Sequence, residues 1–442
     1  MNPTVYRAAK LDKEMPEAKY ALPVGFPFIV DDDNLEVEHY ALLYLDSTFR
    51  KAKATGLEPK RKRTSIHTVD AAAYDLVDFL RYLVSIRQTN NDSVKDAGID
   101  TAPSEDAVGP PLHNFTIDDV LSYRDDLYTR VSKQTHETLS DGTCSRRVKR
   151  VLHYAKWLER RGLLFDFWLG SPDTEIELSG NGDNDDVVRP LSVAEWYRVR
   201  DQLGPLPSER QQGKDERPAR NRVASELAIC TALRVDEVAK LTVHQILALR
   251  YDDSATPHTE VDMRVTQTKR LVPRTVYVPM YLVRELQLYI DGERREAMAE
   301  AEKFWRIARH REPSTLFVNG ADAHQHAGKP MSADVLSNAF HTACMRAGLM
   351  SSVEKIDPLS GERYLTQVSS HHFHDLRHTF TIWRYYAEKS VGNSEPWKML
   401  QSILGHKYLQ TTLNTYLRLI PGERREVNRK TFSAIRERFS GH

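Results

Sequence analysis

The carboxy-terminal half of the chain carries, in order, Arg234, Lys269, His374, Arg377, His406 and Tyr416. Together they provide a phenolic nucleophile, several cations and two proton carriers, a combination suited to attack on an anion. A phosphodiester gathers charge on its non-bridging oxygens as it is attacked, so its transition state needs fixed cations with directional donors. Arginine meets that need best, because its planar fork holds two oxygens at once and stays protonated near neutrality. Arg234 and Arg377 come from separate stretches and can clamp both oxygens, while His374 and His406 add donors able to exchange a proton. A free phenol loses its proton near pH 10, so only about one Tyr416 in a thousand would be phenolate at pH 7. The surrounding cations are expected to lower that value, with a neighbouring histidine taking the proton as attack proceeds. The departing sugar oxygen needs an acid, and Lys269, with its pKa depressed by nearby arginines, is the candidate. No metal and no cofactor are called for, since the arginines stand in for a divalent ion.

Each of these residues sits in a recognisable local pattern. Thr231-Ala232-Leu233-Arg234 falls between two helical pieces within 227–241, with Glu237 three residues past the arginine. Residues 263–268 and 274–279 alternate apolar and polar side chains, which predicts a β-hairpin with Lys269 at its tip. Assigning the role to Arg270 instead would spoil the spacing to Arg274. His374 and Arg377 lie three apart, hence on one face of a helix. The histidines His371, His372, His374 and His378 are dense enough to raise a zinc reading. However, the zinc-protease pattern places Glu after its first histidine, whereas Asp375 follows here and Arg377 would set a cation beside the metal. Leu404-Gly405-His406 reads as a tight turn that leaves His406 free to face a phosphate, and Tyr416 follows ten residues on.

Taken in this order, Thr-Ala-Leu-Arg-x-x-Glu, His-Asp-Leu-Arg-His and Leu-Gly-His with its tyrosine resemble the active site of the tyrosine recombinases, the phage integrase family. One departure is Ala232, which stands where the family motif usually has glycine. The resemblance covers residues 189–420 well, 61–168 only as a helical pattern, and the first 60 residues not at all. It implies a mainly α fold with a small antiparallel β-sheet (α+β), in which a catalytic domain and a helical core-binding domain close around DNA as a clamp. It further implies cleavage and rejoining through a 3'-phosphotyrosyl intermediate without ATP, by a homotetramer on double-stranded DNA carrying a specific recombination site. An accessory DNA-bending protein or a partner recombinase is a further expected partner. Glu237 and His378 would support the site structurally, with His378 pointing into the fold. A type IB topoisomerase and a catalytically inert DNA-binding regulator are the competing readings. The Leu-Gly-His box and the absence of a long linker before Tyr416 favour a recombinase over the first, and the complete set of six residues disfavours the second.

At 442 residues the chain is long enough for two or three domains. Five segments are expected: an amino-terminal extension over 1–60, a helical DNA-binding domain over 61–168, a linker over 169–188, the catalytic domain over 189–420 and a tail over 421–442. The tail can fold back on its own domain or dock on a neighbouring protomer. Within the extension one helix is expected near His39 to Lys53. In the next segment, helices are read from about Val69, from a Thr-x-x-Asp capping box at Thr116, and from about Ser145. Three distant cysteines, Cys144, Cys230 and Cys344, read as reduced thiols. No stretch approaches the roughly 20 apolar residues needed to cross a bilayer, so the cytoplasm, close to the nucleoid, is the expected location. The 62 basic and 62 acidic side chains balance, so any grip on DNA must come from segregated patches. Two are visible: Lys60, Arg61, Lys62 and Arg63 in a run, and Arg146, Arg147, Lys149 and Arg150 on the polar face of one helix. A polar loop over 205–222, a charged helical stretch over 291–311 and an extra polar segment over 351–367 read as surface features.

Overall fold

The computed structural model describes residues 2–8, 22–49, 65–96, 112–164, 188–267, 273–304 and 312–420, with the backbone only at 90–96 and 418. Two compact units are present, one of residues 1–185 with 354–364, the other of 186–353 with 365–442. Both are mainly helical, with small antiparallel sheets.

The first unit opens with a three-stranded antiparallel sheet of β1 (Pro3–Arg7), β2 (Pro27–Asp31) and β3 (Glu36–Val37). Four helices follow, α1 (His39–Phe49), α2 (Ile66–Asp96), α3 (Ile117–Thr129) and α4 (Asp141–Glu159). Leu76, Leu80 and Leu83 of α2 and Val148, Leu152 and Ala155 of α4 recur at helical spacing and are buried. At the start of α3 the Thr116 hydroxyl accepts the Asp119 N–H at 3.2 Å while the Asp119 carboxylate accepts the Thr116 N–H at 2.7 Å, closing a capping box. Helix α4 begins four residues before the expected Ser145, because Ser140 supplies the cap. The sheet was not legible in the sequence. Its Ile29, together with Tyr44 and Leu45 of α1, is fully buried in the same core as the helices, so these amino-terminal residues share that core.

The second unit contains α5 (Val193–Leu203), α6 (Pro207–Gln211), α7 (Arg220–Thr231), α8 (Val235–Ala239) and α9 (Val243–Leu247). Strands β4 (Glu260–Val265) and β5 (Arg274–Pro279) pair antiparallel, with Val265 opposite Arg274. Then come α10 (Met280–Tyr289), a π turn (Ile290–Arg294), α11 (Arg295–Phe304) and α12 (Ala333–Arg346). Strands β6 (Met350–Ile356) and β7 (Arg363–Ser369) pair with each other, and α13 (Phe373–Ser390), α14 (Pro396–Leu404) and α15 (Leu409–Tyr416) complete the unit. Helix α7 is its axis, with Val223, Ala224, Leu227 and Ala228 fully buried.

Of the three segments read as surface features, two depart from that expectation, while 351–367 has no buried residue. The loop over 205–222 holds α6 and the start of α7, with Pro207, Ala219 and Arg222 buried; Glu285 accepts both the N–H and the hydroxyl of Ser208. In the charged stretch after Ile290, the π turn admits an extra residue, which turns Glu293 and Arg294 inward together. The Glu293 carboxylate then accepts the N–H groups of Ala219 and Arg220 at 2.6 and 3.1 Å, capping α7, a helix whose own N-cap is an alanine. The polar segment before the histidine box forms the β6–β7 pair, and its tip belongs to the first unit, where the Ile356 N–H donates to His136 O at 2.7 Å.

Candidate active site

Helix α7 ends at Ala232, which takes the left-handed conformation (φ 56°, ψ 26°) that its family counterpart would adopt as glycine. The chain then turns to place Arg234 at the N-cap of α8. Glu237, at the third position of that helix, accepts the Arg234 N–H at 2.9 Å and its guanidinium at 3.4 Å. Glu237 is buried, which alone would raise its carboxyl, yet hydrogen bonds and charge from Arg274, with help from Arg234, hold it below the usual carboxylate range.

Arg377, on the first turns of α13, is the largest fully buried side chain of the described residues. Its guanidinium donates to Ala232 O at 2.5 Å and Leu404 O at 2.6 Å, buried carbonyls at the carboxy-terminal ends of α7 and α14. Burial, then the charge of Arg234, pushes its pKa down to about 9. Gly405 is left-handed (φ 66°) and turns the chain so that His406 Nε2 lies 3.4 Å from Arg377 Nη2. Because arginine can only donate, the neutral His406 carries its proton on Nδ1, which donates to Thr412 Oγ1 at 2.9 Å.

Tyr416 closes α15 and is 1% exposed, packed with Ala232, Ile382, Tyr385, Leu400 and Leu404. Its hydroxyl lies 2.9 Å from His378 Nδ1. Burial, with the charge of His374, lowers His378 to about 4, so its ring is neutral near pH 7 and Nδ1 accepts the phenol O–H in the tautomer protonated at Nε2. His374 is exposed on the same helix, its ring centroid 4.8 Å from that of His378. The cations do not lower the phenol pKa as expected. Burial raises it, and the Thr381 hydroxyl, Arg377 and Arg234 only partly offset that. The phenol is therefore protonated at rest, and a base must take its proton during attack.

Arg234, Arg377, His406 and Tyr416 thus meet at one end of the second unit, with His374 and His378 alongside. Lys269 and the run Lys60 to Arg63 lie outside the described residues. In the α4 cluster three of the four basic side chains have partners within their own unit. Arg146 pairs with the buried Asp75 while staying about half exposed, Arg147 donates to Asp78 at 2.8 Å, Arg150 lies over the Phe49 ring, and Lys149 is exposed. The reason is that α2 presents carboxylates to that face of α4. Arg274 carried no role in the sequence reading, yet it holds Glu237 in a two-point fork at 2.7 and 2.6 Å. Its signal was there: it falls on the strand face of Val276 and Val278, where an arginine must find a buried partner.

The sequence pattern of the phage integrase family matches residues 207–422, which include every one of these site residues. Through this segment the chain belongs to the phage integrase family. It is therefore a tyrosine recombinase, mainly helical with small antiparallel sheets. No curated protein matches the chain. Among solved structures, a lambda integrase dimer (residues 75–356) bound to a COC' core site is similar at 14% identity over 86% of this chain and 94% of that one, with a TM-score of 0.43. XerH site-specific recombinase bound to its difH substrate is similar at 13% identity over 79% and 75%, TM-score 0.43. XerA recombinase is similar at 16% identity over 88% and 99%, TM-score 0.32. No helix among the described residues of this recombinase is long and apolar enough to cross a membrane.

Proposed function

We propose that the protein is a site-specific DNA recombinase that cuts and rejoins strands through a covalent bond between Tyr416 and a 3'-phosphate. The observation that carries this reading is the placement of Arg377. Its buried charge faces main-chain carbonyls rather than a carboxylate, next to Arg234 and His406 and in one cluster with the Tyr416 phenol. A desolvated cation of this kind interacts strongly with an arriving phosphate.

In this mechanism Arg234 and Arg377 hold the non-bridging oxygens, and His406 donates to them from Nε2 once it carries a proton on both ring nitrogens. The Tyr416 oxygen attacks phosphorus as its proton passes to the neutral His378, with His374 beside it as a further proton carrier. The bond from phosphorus to the 5'-oxygen breaks, and Lys269 gives its proton to that leaving oxygen, which departs as the 5'-hydroxyl. The 5'-hydroxyl of another strand then reverses the sequence, so the bond energy is kept and no ATP is consumed. Because the phenol is buried at rest, α15 must shift before the oxygen meets DNA. Arg146, Lys149 and the run Lys60 to Arg63 are the candidate phosphate contacts outside the catalytic cluster, with Arg147 and Arg150 held largely by their own unit. A homotetramer on DNA, help from an accessory DNA-bending protein or a second recombinase, and a cytoplasmic, nucleoid-associated location complete the proposal. The process served is integration, excision or transposition of a mobile element, or replicon resolution.

The test expresses wild type and Tyr416→Phe in cells carrying the gene's flanking DNA, recovers the protein under denaturing conditions and sequences the attached DNA. Attachment at one or a few sites in wild type alone is expected. Attachment in the Phe variant would place the nucleophile elsewhere, and scattered wild-type attachment would indicate topoisomerase-like cleavage.

A further inference from the structure

We propose that Arg274 is a positioning residue of this site, setting the places of Arg234 and His406 together. The inference rests on the strand-transfer reading above. Arg274 is the first residue of β5, and its side chain is 6% exposed. Two of its nitrogens grip Glu237, which in turn holds both the backbone N–H and the guanidinium of Arg234. The third, Nε, donates to Ile403 O at 2.8 Å in the last turn of α14. Its Cδ lies under Gly405, where an added Cβ would come within 3.0 Å of it. Gly405 is the left-handed residue that delivers His406, so one side chain spans the two turns that carry Arg234 and His406. Arg274, five residues after Lys269 in the sequence, is also paired with Val265.

Geometry, and not charge alone, is what this arrangement requires of the residue. A planar fork can hold a carboxylate at two points and a carbonyl at a third, whereas an ammonium is a single point on a flexible stem. Neutralising the buried Glu237 is a separate, purely structural task, and removing both charges would satisfy it equally well. The two roles therefore separate experimentally. All three nitrogens of Arg274 face protein groups, so it acts through Arg234 and His406 and not on the substrate.

The experiment compares the full-length wild type, Arg274→Lys and the double variant Arg274→Gln/Glu237→Gln. The probe is a nicked duplex built from the DNA found attached to wild type, and the readouts are thermal unfolding, DNA affinity and single-turnover formation of the covalent adduct. Arg274→Lys is expected to bind DNA within about threefold of wild type and to form adduct on the order of 100-fold more slowly, the loss typical of reacting groups misplaced by roughly 1 Å. The double variant is expected to unfold near the wild-type temperature and remain slow. A wild-type rate in Arg274→Lys, or a rate restored with stability in the double variant, would overturn the inference by reducing Arg274 to a counter-ion. So would a loss of DNA affinity as large as the loss of rate. If wild type forms no adduct with any DNA, the strand-transfer reading itself fails and this inference falls with it.

Discussion

Replacing Arg377 with glutamine should abolish strand cleavage while leaving the fold almost as stable as before. The guanidinium is 1% exposed and gives up its proton near pH 9. A free guanidinium does so only above about pH 12, and each tenfold change is about 1.4 kcal/mol, so keeping it charged at neutral pH costs the fold roughly 4 to 5 kcal/mol. Against this stand its two short hydrogen bonds to Ala232 O and Leu404 O, which as charge-assisted bonds contribute about 1.5–3 kcal/mol each. The terms nearly cancel, so the unfolding free energy of the second unit should move by less than about 2 kcal/mol in either direction. For a base with a depressed pKa in the fold, the penalty is full below the folded value and fades only as pH rises from about 9 upward. Urea unfolding of wild type and Arg377→Gln at about pH 6 and about pH 8 should therefore give the same difference at both. Adduct formation, by contrast, should fall by on the order of a thousandfold or more, because the cation acts where charge develops. A destabilisation above about 4 kcal/mol would refute the reasoning, since it would make Arg377 a structural cornerstone whose partners outweigh its desolvation.

The His378 ring is held neutral, with a pKa of about 4, so the unfolded chain takes up its proton first and stability should fall as pH drops from about 6.5 to about 4. His378→Gln should flatten that limb of a stability-against-pH curve by roughly 2–3 kcal/mol, and an unchanged limb would contradict the burial argument. In the first unit, Arg147→Ala should lower stability by about 1–2 kcal/mol with little change in DNA affinity. Lys149→Ala should do the reverse, flattening the salt dependence of DNA binding by about one unit of logarithmic slope; the opposite pattern would restore the phosphate-facing reading of α4. Ala232→Gly relieves about 1 kcal/mol of left-handed strain but gives up about 0.8 kcal/mol of buried methyl and further chain entropy, so denaturation should show a net loss under about 1 kcal/mol. Ala232→Val, a branched residue at φ 56°, should lower the melting temperature clearly.

Much of the fold and of the candidate site was legible in the chain itself. Helical periodicity marked α2 and α4, Thr116 and Asp119 announced the start of α3, and alternation located β5 in full but β4 three residues too late, because local spacing maps onto helix and strand faces more surely than onto their ends. The boxes around Arg234, Arg377, His406 and Tyr416 could be read in order, since each is short and carries its own turn or helix signal. Other properties depend on residues far apart in sequence and had no local mark. Which cation partners Glu237 was decided only when β5 brought Arg274 alongside α8. Which partners Arg146 and Arg147 take was decided by the carboxylates of α2. The inward turn of Glu293 follows from a π turn that closes against the start of α7. The phenol of Tyr416 is the sharpest case. Sequence supplied the cations expected to lower its pKa, but the packing of α13, α14 and α15 removed it from water, and desolvation outweighs those charges. Residue types and short spacings are written along the chain, whereas burial and long-range pairing exist only once the chain is packed, and they determine the charge state of each group.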